Sequence, residues 1–215
     1  MAADSPAQQA APKSKASSRR KGRPSPRERL LTSATELFTT EGIRVIGIDR
    51  ILREADVAKA SLYSLFGSKD ALVVAYVEQL DAAWRAEWSE RTAGMSSPKD
   101  KILAFFDQCI EAEPKQNFRG SHFLNAATEY PRAETDTEKK IVAAAMEHRR
   151  WCHATLSQLL TQLNGFPGDT LADQILIFLE GGLVGSTLTL SVEPLRTGRN
   201  LADELISAPP ADYSI

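Results

Sequence analysis

Cysteine is scarce in this chain. Among 215 residues there are two, Cys109 and Cys152, too few and too isolated to staple a disulfide scaffold, so the fold has to come from a buried core and the usage fits a reducing compartment. Histidine is nearly as rare. The residues three before His122, His148 and His153 are Arg119, Ala145 and Arg150, none of them acidic, which excludes the Glu-x-x-His pattern of helical carboxylate iron centres. Phosphate loops, nucleophile elbows and His-Glu-x-x-His pairs are missing too, so neither an enzyme nor a resident cofactor or metal is expected. Uninterrupted apolar runs are also lacking. The longest, Ile175 to Leu190, is broken by Glu180 and Gly181-Gly182, and no apolar segment follows the N-terminal charges. Neither a signal peptide nor a membrane span is expected, and a cytoplasmic location is. Alternating strand patterns do not occur at useful length, whereas helical periodicity runs throughout, so the expected fold is all-α.

What is present is unevenly charged. The formal net charge is −2, yet residues 1–24 set six cations against Asp4, residues 25–70 balance seven against seven, and residues 71–215 hold thirteen basic and twenty acidic groups. The positive field therefore lies at the N-terminal end, and an acidic total does not argue against a nucleic-acid partner. Residues 1–24, rich in Ala, Pro, Ser, Gln and Lys, lack the apolar content to offset chain entropy and are expected to form a disordered basic arm. The arm ends in Arg19-Arg20-Lys21-Gly22-Arg23-Pro24, which resembles an AT-hook and makes Arg23 a candidate for a narrow minor groove. A plain cationic tail is the other reading.

From Ser25 the pattern becomes regular. Ser25-Pro26-Arg27-Glu28 combines an N-cap, a first-turn proline and a Glu three residues on, a capping box. Leu30, Leu31, Ala34, Leu37 and Phe38 form one apolar stripe, and Gly42-Ile43 fits a Schellman stop with Ile43 packed on Phe38, so the first helix spans about Pro26 to Glu41. Ile48, Ile51, Leu52 and Ala55 mark a second helix. A tight turn at Asp56-Val57-Ala58 leads to a short third helix that buries Leu62 and Phe66. Gly67 can close it with positive φ, and Ser68 can cap a fourth helix that leaves the Lys69 ammonium free for a phosphate.

The stretch from Val57 to Leu72, VAKASLYSLFGSKDAL, preceded by a helix carrying Leu37-Phe38 and Gly42, resembles the DNA-binding domain of the tetracycline-repressor (TetR) family of bacterial regulators. The resemblance covers about the first third of the chain. It implies an operator-binding helix-turn-helix at residues 25–72 that uses Lys59, Ala60, Ser61, Tyr63, Ser64 and Lys69 on double-stranded DNA. Two positions depart from the family pattern: Asp56 stands where Gly is common, and Ala58 where a capping Ser or Thr is common. Asp tolerates a left-handed backbone, but the missing cap should weaken the third helix.

Residues 73–208 read as further helices, with 209–215 as a tail. The fourth continues through Tyr76, Leu80, Trp84 and Trp88 towards Gly94. Others are expected near Lys99–Glu113, Ser121–Glu129, Asp136–Leu163 and Asp169–Leu190, with a ninth from Pro194, giving about nine in all. Gly181, Gly182, Gly185 and Ser186 strip one face of the eighth of bulk, so a homodimer surface is expected at Ile175, Leu179, Gly182, Leu183, Ser186, Leu201 and Leu205. Contact with a neighbouring helix of the same chain is the plainer reading. The resemblance implies a small-molecule effector pocket among the fourth to seventh helices, for which Trp84, Trp88, Phe105, Phe106, Cys109, Phe123 and Trp151 supply apolar walls and Asn125, His148 and Thr155 polar anchors. It further implies a repressor released by a mostly apolar or aromatic effector. A metal or thiol-redox sensor built on His148 and Cys152 is the alternative reading, and a ligand-independent architectural dimer a third.

Overall fold

A computed structural model describes residues 22–208. Residues 1–21 and 209–215, which include most of the expected arm and the tail, lie outside the described residues. Among the described residues there are nine α-helices and no strand, the all-α class expected. Helix α1, Pro26–Glu41, opens on the capping box: the Glu28 N–H donates to Ser25 Oγ at 3.2 Å and the Ser25 N–H to Glu28 Oε2 at 2.7 Å. Its end is not a Schellman stop. Gly42 sits at φ 104°, ψ 160°, and the following Ile43 amide leaves the helix to donate to Glu129. Helices α2, Ile48–Ala55, and α3, Lys59–Phe66, are joined through Asp56 at φ 50°, ψ 55°. This is the left-handed geometry that Asp can adopt where Gly is usual. Ala58 gives α3 no side-chain cap, as expected.

Helix α4, Lys69–Thr92, is capped by Ser68, whose Oγ accepts the Ala71 N–H at 3.0 Å. Then come α5, Pro98–Ala112, a 3₁₀ turn at Glu113–Gln116, α6, His122–Thr128, α7, Asp136–Asn164, α8, Asp169–Thr189, and α9, Glu193–Ser207. The 3₁₀ turn was not expected. Pro114 cannot donate to the α5 ladder, so the chain tightens there. One core gathers Leu30, Phe38, Ile51, Leu62, Leu72 and Tyr76 with Ala126, Tyr130, Ile141 and Ala145. The packing of the first three helices therefore continues through α4 into α6 and α7. A second core joins α5, α7, α8 and α9 through Ile102, Phe106, Leu156, Ile175 and Leu195, each such side chain contributing about 1.5–3 kcal/mol on burial.

The α8–α9 pair corrects the expected dimer surface. A Cβ on Gly182 would lie 3.0 Å from Leu195 Cα, and one on Gly185 2.7 Å from Pro194 Cβ. The small residues thus admit α9 of the same chain. Ile175, Leu179, Gly182, Leu183 and Ser186 are buried within the protomer, packed against elements of the same chain. The apolar side chains that α8 leaves exposed are Ile177, Val184 and Leu188, with open space beside Gly181. On α9, Leu201 is exposed and Leu205 half-buried. By length and composition α8 is apolar enough to cross a bilayer, contrary to expectation, but a third of it is buried as core and Glu180 on it accepts from Arg149 at 2.7 Å.

Candidate functional site

Leu62 roots α3 in the first core, and the rest of this short helix turns outward. Lys59, Ala60, Tyr63, Ser64 and Leu65 are exposed, and Ser61 is half-buried. The candidate residues of this helix therefore share one accessible side, which is what a helix entering a major groove requires. Lys59 Nζ lies 3.4 Å from Asp49 Oδ1, both well solvated, an exchangeable surface pair that DNA could displace at little cost. Leu65 is an exposed apolar neighbour of these residues.

Lys69 needs correcting. Its ammonium is not free: Nζ donates to the Ile43 carbonyl at 2.6 Å and sits over the Phe38 ring at 5.8 Å. Burial there holds its pKa below the ordinary lysine value, so in this arrangement Lys69 ties α4 to the loop after α1. Arg23 is ion-paired with Asp56. Arg29 donates from Nε to the Ala55 carbonyl at 2.9 Å and from Nη2 to that of Asp56 at 2.8 Å. Arg23 and Arg29 thus lie beside the turn that precedes α3.

That same loop is clamped from the other side. Glu129, just past α6, accepts the Ile43 N–H at 3.0 Å on Oε1 and the Arg44 N–H at 2.6 Å on Oε2. Arg44 answers by donating to the Glu129 carbonyl at 3.0 Å and stacks over Tyr130, 4.3 Å from the ring centre. Tyr130 in turn donates to Asp70 on α4 at 3.1 Å, and Arg119 to the Thr39 carbonyl at 3.3 Å.

Between α4, α5, α6, α7 and α8 lies a cavity of two adjoining lobes. The larger, about 230 Å³, is walled by Phe123, Leu124, Ala127, Met146, Leu176 and others, with Arg149 and Glu180 at its edge. The smaller, about 110 Å³, has a mostly apolar surface that includes Trp84 and Cys109, with Glu87, Gln108, Glu113, Gln116 and His122 also in its wall. Phe123, His148, Cys152, Leu179 and Leu183 belong to both lobes. Of the expected pocket residues, Trp84, Cys109, Phe123 and His148 are therefore walls. Phe105 and Phe106 are not, being fully buried in the second core. Trp88 and Trp151 are held against each other and Phe105 at 5.2–5.9 Å between ring centres. Asn125 spends its amide on the Arg119 carbonyl at 2.9 Å, and Thr155 reaches neither lobe.

His148 stacks on Phe123 at 3.6 Å and bonds through Nδ1 to Asp81 at 2.8 Å. With Nδ1–H given to the carboxylate, the neutral ring offers Nε2 as acceptor to the Cys152 thiol 3.5 Å away. Burial pushes the Cys109 thiol up to about 12 and Cys152 in the same direction, so both are protonated and unreactive near neutral pH. No group of three metal-ligating side chains occurs among the described residues. Burial also pulls His122 down to about 4 from 6.5, with Arg119 adding to the effect. Since the unfolded chain takes up this proton first, stability should be intact above pH 6.5 and fall as pH drops from 6.5 to 4, by up to about 3 kcal/mol. Urea unfolding across that window should show the loss. His122→Gln should flatten it, and an unchanged slope in that variant would assign the loss to other groups.

Residues 30–76 match the family described as bacterial regulatory proteins, tetR family. The chain is 34% identical over 85 residues to the HTH-type transcriptional repressor NemR of Escherichia coli, a match spanning 39% of this chain and 43% of that protein. The match is 30% over 83 residues to the HTH-type transcriptional regulator LmrA of Bacillus subtilis, 38% of this chain and 44% of LmrA. The similarity to these curated relatives thus spans less than half of their length. A solved TetR-family transcriptional regulator from Streptomyces coelicolor extends it: 31% identity, 85% of this chain and 96% of that one, TM-score 0.74.

The chain belongs to the TetR family of transcriptional regulators. The fold of E. coli NemR in its reduced form agrees at TM-score 0.74, with 24% identity over 86% of this chain. As a TetR-family member the chain is a DNA-binding regulator, and its relatives are regulators rather than enzymes. Sequence reasoning missed the TetR-family chain's Gln108, Glu113 and Gln116 in the cavity wall. The signal existed for one of them: Gln108 is a polar residue within the apolar stripe of Phe105, Phe106 and Cys109.

Proposed function

We propose that this regulator is a homodimeric repressor that loses operator affinity when a small, mostly apolar effector occupies the cavity. Residues 25–72 form the operator-binding head, preceded by the basic arm of residues 1–24. Residues 73–208 form the effector and dimer unit, followed by a short tail at 209–215. The observation that carries this reading is the physical link between cavity and head. Helix α6 gives Phe123, Leu124 and Ala127 to the larger lobe and is followed at once by Glu129, which holds the amides of the loop between α1 and α2. A ligand that displaces α6 has to carry that loop with it or break those bonds, and either changes how α2 and α3 are presented. Effector and operator are then reciprocally coupled by the same factor.

Dimerisation supplies the second head, since two recognition helices about 34–36 Å apart read successive turns of the groove. The surface we assign to it is Ile177, Gly181, Val184 and Leu188 on α8 with Leu201 on α9, the apolar positions left uncovered in the protomer. Thermal-shift screening followed by operator-release titration tests the whole reading. Compounds that stabilise the protein should weaken operator binding. Stabilising compounds that leave DNA affinity unchanged would remove the effector-released repressor and leave an architectural dimer.

On α3 the residues divide by role. Tyr63→Phe, which deletes one exposed hydroxyl suited to a phosphate, should weaken operator and scrambled DNA alike. Lys59→Ala should instead relax base preference by about 1–3 kcal/mol. Competition binding against scrambled operators separates the two, and equal, unchanged affinities in both variants would move the contact surface elsewhere.

A further inference from the structure

The smaller lobe contains a polar group with nothing to bind. Gln108 on α5 is only 1% exposed, and its Nε2 donates to the Trp84 carbonyl at 3.2 Å. A carbonyl accepts only from the amide nitrogen, so the side chain cannot be turned round, and Oε1 is left as a buried acceptor without a partner. Glu113 in the same wall is fully buried. Its oxygens take only neutral donors, the Gln116 side-chain amide and the Gly120 N–H at 3.2 Å.

The surrounding bonds all point one way. Gln116 gives its nitrogen to Glu113, so its Oε1 accepts, and His122 must donate Nε2–H to it across 2.7 Å. The chain from His122 through Gln116 therefore ends on a carboxylate. Glu87 is the lobe's other ionisable acid, and no Lys or Arg lines it. Its two imidazoles, His122 and His148, are kept neutral by burial. Glu113 has no cation in the lobe's wall, and burial pushes its pKa up; with Gln108 in the same wall keeping an acceptor without a donor, the arrangement is completed by a positively charged hydrogen-bond donor, which would also hold Glu113 ionised. Trp84 and Phe123 add aromatic walls of the kind a cation prefers.

We propose that the effector is an organic amine, its ammonium held by Gln108 Oε1 and Glu113 in the smaller lobe and its apolar body lying in the larger one. This rests on the reading of the cavity as the effector site. The two lobes set the shape of the molecule: a compact head in about 110 Å³ and a hydrocarbon or aryl body in about 230 Å³. Carboxylic acids of the same outline would place a second anion against Glu113.

Three probes of one skeleton, 4-phenylbutylamine, 4-phenylbutanol and 4-phenylbutyrate, test this on the full chain by titration calorimetry and operator release. The amine should bind at least about tenfold more tightly than the alcohol, the butyrate more weakly still, and only the amine should release operator at matched concentration. Gln108→Leu and the isosteric Glu113→Gln should each erase most of the amine's advantage over the alcohol. The wild-type series remains decisive if either variant fails to fold. Butyrate binding as tightly as amine, or three equal affinities, would overturn the amine assignment while leaving the cavity as the effector site. Failure of all three probes to bind or to release operator would count against both the amine and the cavity.

Discussion

Ile177→Arg combined with Leu188→Arg should yield a folded monomer whose operator affinity is about 10²–10⁴-fold lower, because the second head then binds as a separate molecule instead of at high effective concentration. Both side chains are highly exposed in the protomer, at 61% and 79%, so charged replacements meet only water in the single chain. Placed across a two-fold contact, each Arg would face its own copy and a desolvated apolar surface. Analytical ultracentrifugation reads the mass and a mobility-shift titration reads the affinity. The contrast is Leu183→Arg, which buries a cation against α9 and the cavity wall and should unfold the protein rather than split it. A double variant that stays dimeric would show that this face of α8 does not carry the interface.

Glu129→Ala should be the second large effect, and of a different kind. It removes the carboxylate that accepts the Ile43 and Arg44 amides and leaves two backbone donors to find other partners. Hydrogen bonds to a charged acceptor contribute roughly 1.5–3 kcal/mol each, and with water able to reach this half-buried site the combined loss is about 2–4 kcal/mol. If α6 acts on the head through this clamp, the ratio of operator affinities with and without a releasing compound should collapse towards one. Glu129→Gln, which keeps one acceptor oxygen, should fall between. Full coupling retained in the alanine variant would transfer the transmission to α4 and to Tyr130–Asp70.

How much of this was legible beforehand depends on the range of the forces involved. The Ser25 box, the left-handed Asp56 and the Ser68 cap are local chemistry, settled within three or four residues, and could be read from the sequence. The side of α3 that faces outward followed from Leu62 alone. The partner of α8 did not, because a stripe of glycines reports close approach without naming the neighbour, and here the neighbour was Pro194 and Leu195. Aromatic residues were equally ambiguous. Phe105 and Phe106 look like pocket walls in a composition and turn out to fill the core, whereas Leu179 and Leu183, assigned to a dimer face, line the cavity. Lys69 was misjudged because the carbonyl it holds, that of Ile43, is 26 positions away in the chain.

Of the three tryptophans of the chain, Trp84 and Trp88 each stand edge-on to Trp151, and none lies in α1, α2 or α3. Near-ultraviolet emission excited at the indole band is therefore an optical signal confined to one half of the molecule and silent about the other. A denaturant titration followed by that emission and by far-ultraviolet dichroism should give superimposable curves if the heads melt together with the bundle. A dichroism transition that begins before the indole emission moves would reveal heads that let go first, despite the apolar core they share with α4, α6 and α7.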